Sequence, residues 1–141
     1  MQIHASCAAR NGSGVIVTGP AGSGKSDLVL RLLDRGFMLV ADDRVDIVDG
    51  IARPPAALAG LIEVRGLGVL RLPYAADARV MLVVALGCPA GERLPAPVRH
   101  PMLGVPLVSL DPSLHSAPQR VELALDCAEG RVGQLAGAFA A

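Results

Sequence analysis

The chain has 141 residues, no formal net charge, and a composition that is 52% hydrophobic but only 2% aromatic. This is one domain's length, with enough Val, Leu, Ile and Ala to bury a core without disulfide staples. Zero net charge counts against broad electrostatic binding of nucleic acid or an anionic membrane, and a charged fraction of 18%, below the usual quarter, makes self-association an expectation.

The opening "MQIHASCAAR" has no basic region followed by an apolar stretch, so no signal peptide is expected. "QIHASCA" alternates and meets "NGSG", a turn signal, and "VIVT" follows as a short apolar strand. The pair reads as a hairpin whose second strand feeds a Gly-rich loop. "KSDLVLRLLDRG" has helical periodicity, with Leu28, Leu32 and Leu33 facing inward and Gly36 where a C-terminal cap belongs. "FMLVADD" is a buried strand that ends in two acids, and "RVDIVDG" predicts a further hairpin through its Asp-Gly turn. "PPAALAGLI" is a short helix or loop. The glycines in "EVRGLGVLRL" suggest a shaped loop rather than a plain strand.

"RVMLVVALG" is a buried strand, far short of the ~20 apolar residues that span a bilayer. From Gly87 to Pro118 prolines recur, with one short strand in "VPLVSL". "QRVELALDCAEGRVGQLAGAFA" reads as a C-terminal helix broken or kinked near Gly130. The fold class is therefore α/β with a mixed sheet, in one domain over residues 1–141. Cys7, Cys88 and Cys127 are widely spaced and form no CxxC pair. They read as buried thiols of a reducing cytoplasm rather than a metal site or a disulfide.

The loop carries the first functional signal. Gly19, Pro20, Ala21, Gly22, Ser23, Gly24, Lys25 and Ser26 satisfy the pattern Gly-x4-Gly-Lys-Ser. Glycines let backbone N–H groups turn onto phosphate oxygens, and the following helix points its positive end at the same anions. Lys25 is expected on the β- and γ-phosphates of ATP and the Ser26 hydroxyl on Mg²⁺. Lys25 is also the only lysine in the chain, every other basic residue of that kind being arginine. A compact ammonium is kept where a point charge is wanted.

Asp42 and Asp43 close the strand that follows the loop's helix, only seventeen positions after Lys25 in the case of Asp42. Doubled acids there suggest split roles, one on metal and one accepting a proton; the plainer alternative is a solvated strand end that opens a turn. Glu63, beside a twice-Gly segment, could complete a metal site or be an exposed strand acid. His4 stands alone on its strand, as structural histidines do, and His100 and His115 carry no signal. Arg93 in "GERLP" is a candidate phosphate contact.

The stretch "HASCAARNGSGVIVTGPAGSGKSDLVLRLLDRGFMLVADDRVDI", together with "IEVRGLG", resembles the catalytic domain of the bacterial HPr kinase/phosphorylase family. The resemblance runs from His4 to about Cys127 and weakens after Gly87. It implies a P-loop-containing mixed sheet with flanking helices, of the kind shared with PEP carboxykinase. It implies an ATP- and Mg²⁺-dependent kinase acting on a serine of HPr, a small phosphocarrier protein of the phosphotransferase system, and able to reverse the reaction.

Position by position, the resemblance makes His4 an active-site histidine and Asp42 the base in phosphorylation and acid in dephosphorylation, with Asp43 beside it. Glu63 joins Ser26 on magnesium, and Arg93 aligns with a catalytic arginine. The family assembles as hexamers. Its usual N-terminal domain has no counterpart in these residues, and its basic segment tied to dephosphorylation reads "DPSLHSAPQ" here, without Lys or Arg before Arg120. A chain that is mainly a kinase is expected. The rival readings are a P-loop small-molecule kinase or NTPase and a non-catalytic nucleotide-binding sensor. A guanine-specific Asn-Lys-x-Asp motif is excluded, because the single lysine is already in the loop.

Overall fold

The computed structural model describes residues 1–88 and 91–140. In chain order these form β1 (Gln2–Ile3), β2 (Ser6–Arg10), β3 (Ser13–Thr18), α1 (Lys25–Leu33), β4 (Met38–Ala41), β5 (Val45–Val48) and β6 (Ile51–Arg53). A turn of 3-10 helix at Ala56–Leu58 precedes β7 (Leu61–Val64), β8 (Gly68–Arg71), β9 (Ala78–Ala85), β10 (Leu107–Ser109) and α2 (Ala117–Ala128).

Two hairpins take their shape from two-residue turns. Asn11 and Gly12 have φ of 51° and 82°, and Asp49 and Gly50 have φ of 52° and 75°. Positive φ at both central residues matches the right-handed twist of the flanking strands. β2 therefore pairs antiparallel with β3, and β5 with β6.

The main sheet runs β1-β5-β6-β9-β3-β2-β4, with β10 also on β9. β9 is its axis. One edge pairs in parallel with β3 along its length, while the other edge takes β6 at Ala78 and Arg79 and β10 at Val83–Ala85. Both faces are covered, so β3 and β9 read as continuous apolar runs. Val15, Val17, Leu82 and Val84 pack with α1 and α2 on one face, against Leu28, Leu32, Val121 and Leu125. Ile16 and Val83 point to the other face, against Cys7, Val40, Val45 and Ile47. Among the described residues Phe37 is the one buried aromatic of the core, and apart from Cys7 the rest is aliphatic.

The mixed α/β sheet is as expected, and three local expectations are corrected. "EVRGLGVLRL" is not a shaped loop alone: β7 and β8 form a separate antiparallel hairpin. Ile62 pairs with Leu70 on its inner face, which packs on the core, and Gly66 (φ 88°) lies in its turn. The glycines mark the hairpin's bend rather than the absence of strands. The C-terminal helix opens at Ala117 with Pro118 in its first turn, where the missing N–H costs nothing. It ends at Ala128, so the chain breaks near Gly130 (φ 77°), one of the two expected alternatives, but no helix resumes among the described residues beyond it. Beyond lies a folded-back segment that sets Phe139 on the core. Finally, Cys7 is buried, with its thiol pushed up to about 12 by burial, but Cys127 is half-buried and Cys88 exposed. Among the described residues no helix is long and apolar enough to cross a membrane.

The packing makes a contrast that can be measured. Leu82 is fully buried at the centre of β9, whereas Leu67, on the β7–β8 hairpin, is 74% exposed. Leu82→Ala is expected to lower unfolding free energy by about 2–5 kcal/mol through lost burial and a residual cavity. Leu67→Ala should stay within about 0.5 kcal/mol. Urea unfolding of the two variants checks the assignment of core and surface.

Candidate active site

The Gly-rich loop leaves β3 at Thr18 and enters α1 at Lys25, as its sequence implied. At Gly19 (φ 152°) a Cβ would lie 2.5 Å from the Ser23 hydroxyl and 3.0 Å from the Leu86 carbonyl, so a side chain is sterically barred. Gly24, at φ 98°, caps the helix in the left-handed region. Lys25 is buried, and its Nζ donates to the carbonyls of Gly19 (2.8 Å) and Pro20 (3.1 Å). The ammonium is thus held over the loop where phosphates would replace those carbonyls.

β4 delivers the two acids to this loop, and the structure separates them. Asp42 is 8% exposed. Its Oδ1 accepts from the hydroxyls of Ser26 (2.6 Å) and Ser6 (3.0 Å), and its Oδ2 accepts the backbone N–H of Glu63 (3.1 Å). One carboxylate therefore joins the start of α1, β2 and β7. Asp43 has turned outward. Its backbone adopts φ 70°, unusual for a residue with a side chain. Its carboxylate is exposed and lies 2.5 Å from His4 Nε2, and its N–H donates to Ser6 Oγ at 3.2 Å.

A pocket of about 430 Å³ opens above the loop, walled by Gly22, Gly24, Lys25, Ser26, Asp43 and Glu63. Asp42 lies beneath it, reaching it through Ser26. The side-chain oxygens of Ser26 and Glu63, with Asp42 behind Ser26, form a hard donor set. Among the described residues no three His, Cys, Asp or Glu side chains stand together as a self-sufficient metal cage. The oxygens of Ser26 and Glu63 suit Mg²⁺, which takes one or two carboxylates and completes its shell with phosphates and water.

Two results depart from the expected site. Arg93 is not brought to this pocket. It lines a different cavity, against α2 and the C-terminal segment, together with its neighbours Leu94 and Pro95. Arg65 lines the loop pocket instead. Sequence reasoning passed over it, although it follows directly on β7, two residues from Glu63, in the turn of the β7–β8 hairpin. Ser6 was missed too; only its contact with Asp42 reveals it.

Comparison with known proteins points to one family. The family model described as HPr Serine kinase C-terminal domain matches residues 1–76, more than half of the chain. The chain belongs to that family. An HPr kinase/phosphorylase of Clostridium novyi is 47% identical over 66 residues, covering 44% of this chain and 22% of that protein. One from Xylella fastidiosa is 52% identical over 68 residues, 43% of this chain and 21% of the relative. These matches span about a fifth of the length of the curated relatives. The structure of the Hpr(Ser) kinase/phosphatase from Coxiella burnetii superposes with a TM-score of 0.79 at 27% identity, over 93% of this chain and 92% of that one. The family's fold therefore extends well beyond the matched residues 1–76.

The unequal burial of the two acids has a direct consequence. Asp42→Ala would leave the Ser6 hydroxyl and the Glu63 N–H without a buried acceptor, at a cost of about 1–3 kcal/mol. Asp43→Ala removes an exposed contact and should cost well under about 1 kcal/mol. Chemical denaturation without nucleotide separates the two variants, and equal losses would contradict the burial difference.

Proposed function

We propose that this chain is an ATP- and Mg²⁺-dependent protein kinase that phosphorylates a serine of a small HPr-type phosphocarrier protein. The observation that carries the reading is the exposed Asp43–His4 pair beside the P-loop pocket. A carboxylate at the open side of a nucleotide pocket, held by a histidine, can meet a hydroxyl presented by another protein. A nucleotide sensor has no use for it.

The resemblance gave proton transfer to Asp42, and the split of roles between the doubled acids then left Asp43 for the metal. The geometry supports the opposite division. Asp42 already accepts three hydrogen bonds below the pocket and fits the metal-orienting role behind Ser26. Asp43 faces solvent and can accept the serine proton, and His4 orients it. Lys25 holds the β- and γ-phosphates, Ser26 and Glu63 are the Mg²⁺ ligands, and Arg65 is the second cation beside the transferring group. Bound Mg²⁺ would neutralise charge on the phosphates.

As Asp43 takes the proton, the serine oxygen bonds to the γ-phosphorus, the β–γ bridge breaks and ADP leaves. The surroundings favour the forward direction. A phosphorylase must bring phosphate to a phosphoserine of like charge, and the Arg120 that could assist stands on α2, bonded to Ser116 and lining the other cavity. We further assign one catalytic domain to residues 1–141, a cytoplasmic setting and a homo-oligomer. Exposed Leu94, Leu123 and Leu135 support the last of these.

Two experiments test the assignment. Purified chain, HPr-type protein, ATP and Mg²⁺ are incubated, and phosphoryl transfer is read by intact mass. Lys25→Ala should abolish transfer. Asp43→Asn should lower it by ~10²–10⁴, as for a lost general base, while nucleotide affinity is kept. Asp42→Asn should instead raise the Mg²⁺ requirement. If Asp42→Asn loses transfer at an unchanged Mg²⁺ requirement while Asp43→Asn stays active, the base is Asp42. Phosphate released to water or to a metabolite, with none on the protein, would favour the NTPase or small-molecule kinase.

The arginines are compared in the same assay. Arg65→Ala should cut kcat by about 10²-fold or more through loss of charge stabilisation at the transferring group. Arg93→Ala should leave kcat within about twofold, since loss of a surface contact distant from the chemistry is close to neutral. The reverse order would restore the role that the resemblance gave to Arg93.

A further inference from the structure

β1 pairs with β5 at Ile3 and Val45, and β2 pairs with β4 at Cys7 and Ala41, in one continuous antiparallel register. Between these pairs the ladder is interrupted, with His4, Ala5 and Ser6 opposite Asp42, Asp43 and Arg44. The interruption is a tight turn centred on Asp43. The Arg44 N–H donates to the Asp42 carbonyl at 2.8 Å, and Asp43 has φ 70°. A three-residue turn closed in this way at positive φ is the rare, strained form of γ-turn. Such backbone persists only where its surroundings over-determine it.

Two side chains of the opposing segment hold it. His4 Nε2 lies 2.5 Å from the Asp43 carboxylate, and Ser6 Oγ accepts the Asp43 N–H at 3.2 Å. Ser6 is fully buried, and it donates its hydroxyl proton to Asp42 Oδ1 at 3.0 Å. That direction leaves the hydroxyl lone pairs for the Asp43 N–H. The Ser6 oxygen thus stands in for the acceptor that the interrupted ladder lacks. Asp42 has two other donors, the Ser26 hydroxyl and the Glu63 N–H. Among the described residues the Asp43 N–H has no other acceptor. Loss of the hydroxyl therefore falls on Asp43 more than on Asp42.

We propose that Ser6 is a positioning residue for phosphoryl transfer: its hydroxyl fixes the strained turn that aims the Asp43 carboxylate at the incoming serine. It acts on the backbone of Asp43, while His4 acts on the side chain. The proposal rests on the reading of Asp43 as the base.

Wild type, Ser6→Ala and Ser6→Thr are compared by amide hydrogen exchange, which is independent of the kinase reading, and by the transfer assay with an HPr-type protein. Ser6→Ala should remove protection at the Asp43 amide while Leu82 and Val83 in β9 keep theirs. Its kcat should fall by about 10- to 100-fold, as for a misplaced catalytic group, with the KM for ATP and the Mg²⁺ requirement within about twofold of wild type. Ser6→Thr keeps the hydroxyl and should restore both protection and most of kcat. In an Asp43→Asn background Ser6→Ala should cost less than about twofold more, because the two act through one group. If Ser6→Ala does not fold, Ser6→Cys, with its weaker acceptor, makes the same comparison.

The proposal is overturned if the Asp43 amide stays protected in Ser6→Ala, or if kcat does not follow that protection across the variants. A raised Mg²⁺ requirement at unchanged kcat also overturns it, by placing the action of Ser6 on Asp42. Full transfer by Asp43→Asn overturns the base assignment and the proposal with it, whereas lost transfer in Asp43→Asn beside full activity in Ser6→Ala overturns the proposal alone.

Discussion

The buried carboxylate of Asp42 is the point on which the site depends. It receives the hydroxyl of Ser26 at the start of α1, the hydroxyl of Ser6 on β2 and the N–H of Glu63 on β7. A carboxylate out of water is tolerated only when its lone pairs are engaged. Here those partners come from three separate elements, so satisfying the charge also fixes their relative positions. The P-loop helix, the strand carrying His4's neighbours and the β7–β8 hairpin are registered through one side chain.

The same site relies on a steric constraint from below. The loop packs so closely on the end of β9 that Gly19 faces the Leu86 carbonyl and Gly87 faces the Pro20 ring, where a Cβ would come within 2.9 Å. Close backbone packing on both sides pre-organises the loop before any phosphate arrives, which lowers the entropy lost on binding. β9 has this influence because it is paired on both edges and buried on both faces. A strand paired on both edges therefore supports the loop.

Charge is distributed with comparable economy. The ammonium of Lys25 sits in the loop, where a compact cation can move from carbonyls to phosphates. Arginines do the structural work at the periphery: Arg10 joins the β2–β3 hairpin to the end of α2 through Asp126 and Glu129, and Arg35 joins α1 to α2 through Glu122. Planar guanidinium groups suit such fixed, multidentate contacts.

What the sequence determined by itself is what depends on neighbours in the chain. The P-loop is eight consecutive residues, and its anion-binding shape comes from glycine φ freedom and a helix start, both local. The Asn-Gly and Asp-Gly hairpins are local for the same reason, and so are the apolar runs of β3 and β9. The failures were also physical. The glycines of "EVRGLGVLRL" obscured two strands, because a bend and a loop have the same local composition. The roles of Asp42 and Asp43 could not be read from two identical adjacent acids. Only the outward turn of the backbone at Asp43, and the hydroxyls that meet Asp42, make one buried and one exposed. Arg65 and Arg93 are likewise equivalent as letters. Which of them lines the loop pocket was decided by the placement of the β7–β8 hairpin beside the loop, while Arg93 lies on the side of α2. Such long-range placement comes from packing apolar faces together, and no short pattern around either arginine encodes it.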